Sequence, residues 1–110
     1  MKTLYISDMD GTLLQSNGKL SEFSKQKLND FYKNGIPFSV ATARSMISAM
    51  PILEGVHFAA PIVLMNGVFL YDTETKKAVK YHEIDHSVLQ RILDLFYAKN
   101  LHPFMFLYSD

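Results

Sequence analysis

The segment Asp8-Met9-Asp10-Gly11-Thr12-Leu13-Leu14 sets two carboxylates one residue apart, directly behind the apolar run Leu4-Tyr5-Ile6. Such a run, lacking helical periodicity and closed by turn residues, predicts a buried strand over residues 2–7. Two carboxylates at a strand end can converge on a hard cation, and Mg2+ prefers carboxylate and carbonyl oxygens while keeping several waters. The cation answers an electrostatic problem, because a carboxylate attacking a phosphate dianion is repelled unless positive charge lies between them. In that chemistry Asp8 is the nucleophile and forms an aspartyl-phosphate. Asp10 protonates the leaving alcohol and later deprotonates the attacking water, a role worth about 10² to 10⁴-fold. Gly11 permits the sharp turn between them. The same residues also read as a plain turn or as the opening of a calcium loop. The calcium loop is disfavoured, since no helical pattern precedes it and its last ligand position falls on Lys19, where a glutamate is required.

The elements that would position these residues follow from the apolar pattern. Phe23, Leu28 and Phe31 recur near helical spacing behind Ser21, a plausible N-cap, and Asn34-Gly35 closes that helix. A second apolar run, Ile36 to Ala41, ends at Thr42-Ala43-Arg44, and a further helical pattern runs through Met46, Ile47, Met50 and Leu53, kinked or restarted at Pro51. Pro61 to Met65 reads as a third buried strand closed by Asn66-Gly67. The order β-α-β-α-β, with nearly continuous apolar strands, predicts an α/β fold with a doubly wound, Rossmann-like parallel sheet. Ligands bind beyond the carboxyl ends of such strands, where Asp8, Thr42 and Asn66 fall.

Val68 to Tyr71 and Ala78 to Ile84 flank a polar stretch and predict a β-hairpin. A helix follows through Val88, Leu89, Ile92, Leu93 and Phe96, capped by Asp85 or Ser87 and ending near Asn100. Pro103 to Tyr108 reads as a last strand. A chain finishing on an apolar strand leaves an open sheet edge, and three parallel strands make a small sheet, so the core is expected to continue beyond the residues given.

Composition narrows the classes further. The 110 residues are 48% hydrophobic and 20% charged, so a packed domain is expected rather than disorder. Eleven Lys plus Arg balance eleven Asp plus Glu, giving no general attraction to nucleic acid or membrane surfaces. No cysteine is present, which excludes disulfides, a thiolate zinc site and a cysteine nucleophile, and fits a cytoplasmic setting. No apolar stretch approaches the roughly 20 residues of a membrane helix. The histidines at 57, 82, 86 and 102 lack metal-ligand spacing, and the methionines read as core filler.

The segments Asp8-Met9-Asp10-Gly11-Thr12-Leu13-Leu14, Val40-Ala41-Thr42-Ala43-Arg44 and Met65-Asn66-Gly67 together resemble the haloacid dehalogenase superfamily, and within it the Cof-like sugar phosphatases of class IIB. The resemblance implies that Asp8 is the nucleophile and Asp10 the acid/base, with Mg2+ held by the Asp8 side chain and the Asp10 backbone carbonyl. It implies that Met9 lends its backbone to the phosphate and that Thr42 hydrogen-bonds a phosphoryl oxygen. Thr42 also reads as an ordinary N-cap for the helix behind it. Ala43 departs from the glycine usual there, and a positive φ at that position would strain it by about a kilocalorie per mole or more. Gly11, Ala43, Arg44, Asn66 and Gly67 complete the candidate substrate side; Arg44 reaches a substrate phosphate or faces solvent, and Asn66-Gly67 orients substrate or simply turns the chain.

By the same resemblance, residues 1–80 are the first part of the core and residues 81–110 the opening of an inserted α/β cap. The later lysine and the Gly-Asp acidic pair that complete the family's site have no counterpart here. The expected function is therefore the nucleophile half of a Mg2+-dependent phosphatase of small phosphorylated metabolites, with little turnover from this chain alone. A receiver-type signalling module is disfavoured because Asn66 stands where its acceptor aspartate would be, and a noncatalytic domain of the same fold is the other alternative.

Overall fold

The computed structural model describes residues 3–109. Strand β1 (Tyr5–Ser7) pairs in parallel with β2 (Phe38–Val40), Tyr5 opposite Phe38, and Lys2 lies outside the described residues. Helix α1 (Glu22–Lys33) crosses between them, and Ser21 caps it by accepting from the Ser24 N–H. Its end is a left-handed Gly35 (φ 69°) with the Ile36 N–H reaching back 2.9 Å to the Phe31 carbonyl, the bond that satisfies an otherwise orphaned helix-end carbonyl. The buried face of α1 is Leu28 with Phe31, whose ring lies 5.9 Å from that of Phe38. Phe23 is a correction to the expected stripe, being 71% exposed with Lys27 over its ring. Five residues separate it from Leu28, which on a helix rotates it about 140° off the buried face.

Helix α2 (Met46–Ala49) is shorter than its apolar pattern suggests, and the chain continues in turns from Pro51. Proline there lacks the N–H the next helical bond would need. Strand β3 (Ile62–Leu64) joins the parallel side through a bridge between Ala41 and Val63, while the buried Ser39 hydroxyl donates to the Pro61 carbonyl at 2.6 Å. On its other edge β3 pairs antiparallel with β4 (Phe69–Asp72), and β4 with β5 (Lys77–Tyr81), the expected hairpin. The observed architecture is thus α/β, with a short parallel portion running through β3 into an antiparallel hairpin.

Met9, Val40, Ala49, Ile62 and Leu64 are fully buried and centre the core. Strand β1 is not the buried strand its sequence predicts, since Leu4, Tyr5 and Ile6 are 47%, 54% and 56% exposed. Among the described residues it has a neighbour on one edge only, so half its apolar surface stays in water. Helix α3 (His86–Ala98) is capped by the Asp85 side chain, which accepts from the Ser87 N–H, and it buries no residue. The expected strand over Pro103 to Tyr108 does not form. A strand needs a ladder, and here the Ala78 N–H at the hairpin edge donates instead to the Tyr108 hydroxyl, while the Tyr108 ring packs 4.9 Å from Tyr81 and 5.2 Å from Phe69.

Candidate active site

Asp8 directly follows β1 in an extended conformation and is exposed, with one side-chain oxygen accepting the Met9 N–H at 2.7 Å. The chain then makes one wide turn over Met9–Leu13, closed by the Leu14 N–H on the Met9 carbonyl at 2.9 Å. Gly11 takes φ 74° inside it, a value that any side chain would strain. Met9 is buried completely and anchors the turn, leaving Asp8 and Asp10 at the surface on either side. A buried apolar residue between two exposed carboxylates is how the sequence fixes the pair without burying charge.

Behind β2, residues 42–44 are stitched to the end of β3. The Thr42 N–H donates to the Val63 carbonyl, the Asn66 N–H to the Thr42 carbonyl and the Met65 N–H to the Arg44 carbonyl, each at 3.0 Å. The clasp uses an unusual backbone, because Met65, Asn66 and Gly67 all take positive φ (51°, 55° and 97°) in succession. Asparagine and glycine tolerate that region; methionine does so only under constraint from its surroundings. Ala43 is not among the positive-φ residues, so the alanine fits this loop without the strain a left-handed conformation would impose.

Thr42 is 4% exposed, and its hydroxyl oxygen accepts the Arg44 N–H at 3.1 Å. It does not cap α2; Ser45 does, by accepting from the Ser48 N–H. The Arg44 guanidinium grips both oxygens of Asp10, Nε to Oδ2 and Nη2 to Oδ1 at 2.7 Å each, and Nη1 donates to the Ser48 hydroxyl at 2.8 Å. This bidentate hydrogen bond from Arg44 holds the Asp10 carboxyl below its ordinary value, and Asp10 raises Arg44 in return.

At the carboxyl ends of the strands Asp10 is therefore tied to Arg44, and Thr42 and Arg44 to the turn of Met65 and Asn66, while Asp8, Met9, Gly11, Ala43 and Gly67 are their neighbours in the chain. Ser48 and Gly18, near Arg44, were not candidates from sequence; Ser48 lies one helical turn beyond Arg44, which is its only local signal. No group of three or more His, Asp or Glu gathers among the described residues. The ligands expected for a cation, the Asp8 carboxylate and the Asp10 carbonyl, would make an all-oxygen donor set that suits Mg2+ and not a thiophilic metal. The Asp10 side chain, by contrast, is already engaged by Arg44.

The family model of haloacid dehalogenase-like hydrolases matches residues 5–110. A Mycoplasma genitalium protein with a provisional phosphatase name is 33% identical over 90 residues, 82% of this chain and 32% of that protein. A Bacillus subtilis 5-amino-6-(5-phospho-D-ribitylamino)uracil phosphatase is 25% identical over 96 residues, 86% of this chain and 36% of that one. The chain spans about a third of the length of these curated relatives. A solved haloacid dehalogenase-like hydrolase of Bacteroides thetaiotaomicron shares the fold, with a TM-score of 0.78 at 20% identity, covering 91% of this chain and 39% of that structure. No helix among the described residues is long and apolar enough to cross a membrane. The chain belongs to the haloacid dehalogenase-like hydrolases, among their Cof-like members.

Proposed function

We propose that this chain carries the nucleophile half of a Mg2+-dependent phosphatase of small phosphorylated metabolites, sugar phosphates or related compounds, working through an aspartyl-phosphate at Asp8. The observation that carries the reading is the Asp10–Arg44 tie, which joins the loop of Asp8 to the loop of Thr42 at two successive strand ends, with Met65 and Asn66 bonded to the second loop. Open α/β sheets take ligands beyond the carboxyl ends of their strands, which is where these residues stand. The phosphorylated ribityl compound named for the Bacillus subtilis relative is of the same substrate class.

In the first displacement an Asp8 oxygen bonds to phosphorus as the bond to the leaving alcohol breaks, and Asp10 gives that alcohol its proton. In the second, Asp10 takes a proton from water, the water oxygen bonds to phosphorus, and orthophosphate leaves with Asp8 restored. The Asp8 side chain and the Asp10 carbonyl would hold Mg2+, which would supply positive charge between carboxylate and phosphate. The Thr42 hydroxyl spends its oxygen on the Arg44 N–H and keeps its proton to donate to a phosphoryl oxygen. The Met9 and Gly11 backbone lines the phosphate side, and Ala43, Asn66 and Gly67 the substrate side. Residues 1–80 form the core portion and 81–110 the opening of the cap, whose helix α3 buries none of its residues.

The test uses acetyl phosphate, whose acetate leaves without a general acid and so bypasses the first task of Asp10. With Mg2+ present, Asp10→Asn is expected to accumulate one phosphoryl group on Asp8, seen by intact mass and peptide mapping, beyond the level in the parent, and Asp8→Asn none. No mass gain in either the parent or Asp10→Asn, or a gain on another residue, sinks the proposal.

A further inference from the structure

The phosphatase reading leaves Arg44 without a settled task, and its surroundings supply one. Three of its side-chain nitrogens are engaged within the protein: Nε and Nη2 on the two Asp10 oxygens and Nη1 on the Ser48 hydroxyl. Its backbone is fixed at both ends, the N–H by the Thr42 hydroxyl and the carbonyl by the Met65 N–H. The turn closed by the Gly18 N–H on the Gln15 carbonyl passes close enough that a Cβ at Gly18 would stand 4.0 Å from Nη2. One guanidinium thus ties the Asp10 turn to α2, beside the 15–19 turn. A planar fork across both oxygens fixes the plane of a carboxylate as well as attracting it, which an ammonium does not.

We propose that Arg44 is a positioning residue: through its two-pronged grip it orients the Asp10 carboxylate for the water-activating step, and it does not bind the substrate's phosphate. This rests on the proposed phosphatase reading, and it separates two rates. Loss of a residue that orients the base slows hydrolysis of phospho-Asp8 and leaves its formation from acetyl phosphate nearly intact. Loss of a phosphate ligand slows formation.

Two measurements decide it, the exchange on the 110-residue chain and the phosphorylation kinetics on the whole protein whose nucleophile half it is proposed to carry. The chain has two arginines, and Arg91 is exposed on α3, so it serves as an internal reference for the other. In the parent, solvent exchange of the Arg44 Nε–H is expected to be at least about tenfold slower than that of Arg91, and this protection is expected to vanish in Asp10→Asn. With acetyl phosphate and Mg2+, Arg44→Gln is expected to lengthen the lifetime of phospho-Asp8 by about 10- to 100-fold with its rate of formation little changed. Arg44→Lys, keeping the charge without the fork, should restore only part of the hydrolysis.

Exchange as fast as at Arg91 overturns the proposal. So does an unchanged lifetime with slower formation, which would make Arg44 a phosphate ligand, and so does a change in neither rate, which would make the tie structural only. If no variant and no parent sample is phosphorylated, the phosphatase reading falls and the base-orienting role falls with it, while the exchange rate still reports whether the tie to Asp10 exists.

Discussion

Among the described residues every buried hydrophobic one lies from Met9 to Tyr71, and the stretch beyond Tyr71 buries none, although its helix α3 is the more amphipathic of the two long helices. An apolar stripe is enough to make a helix form; only a facing surface makes it pack. In the first region α1 finds β2 across the Phe31–Phe38 contact, and the loop after α2 is held by Asn29, which donates to the Gly55 carbonyl and accepts from the His57 N–H. In the second, Val88, Ile92 and Leu95 remain in water at 44%, 36% and 58% exposure. The proposed chemistry sits wholly in the region that has built its own core.

Truncation separates the two regions most sharply. Leu64→Ala, at a fully buried position, is expected to cost about 2–5 kcal/mol. Leu95→Ala on α3 is expected to change stability by no more than about 0.5 kcal/mol. Urea unfolding of the two variants beside the parent measures both, and equal losses would mean that α3 is packed in solution. Ile62→Val, expected to cost about 0.5–1.5 kcal/mol, gives a milder probe of the same core.

Acid divides the regions more gently. The Ser87 hydroxyl and then its peptide N–H hold the Asp85 carboxyl below the ordinary 3.8. A depressed folded value means that the cap acts fully above that ordinary value and fades as pH falls through the lower one. The same sign applies to Asp10, lowered by Arg44, and to Asp72, lowered by the Thr75 and Glu74 N–H groups. Fraying of α3, followed through its amide chemical shifts, is therefore expected to set in below about pH 4 in the parent and to be present at all pH values in Asp85→Ala. Identical α3 shifts in the two proteins would show that the cap is idle.

The sequence was legible where local chemistry decides. The Asp8 to Leu14 turn, the Ser21 and Asp85 caps, the Asn34-Gly35 stop and the hairpin all follow from residues within a few positions of one another. It failed where a distant partner decides. Leu4 to Ile6 have the composition of a buried strand but lack a second neighbour among the described residues, and the 103–108 run has no ladder to join. For Arg44, local spacing offered phosphate or solvent, and the observed partner is Asp10, 34 positions away. Thr42 as a cap was reasonable by spacing, yet Ser45 stands closer to the helix and takes the role.

Strand β3 is bonded on both edges, by its ladder with β4 and by the Ala41–Val63 bridge, and this has a consequence in time. Its hairpin side is local, with Tyr71 opposite Ala78 in the adjoining β4–β5 pair, and such hairpins form in about 1–10 μs. The parallel side requires Tyr5 to meet Phe38 and Ala41 to meet Val63, and each doubling of a loop to be closed costs about 0.6 kcal/mol more. Pulsed hydrogen exchange should therefore find Leu70 and Tyr71 amides protected before those of Ala41 and Thr42, and the reverse order would contradict it. A chain caught midway already owns its hairpin, which holds none of the proposed catalytic groups, and has yet to bring Asp10, Thr42 and Arg44 within reach of one another.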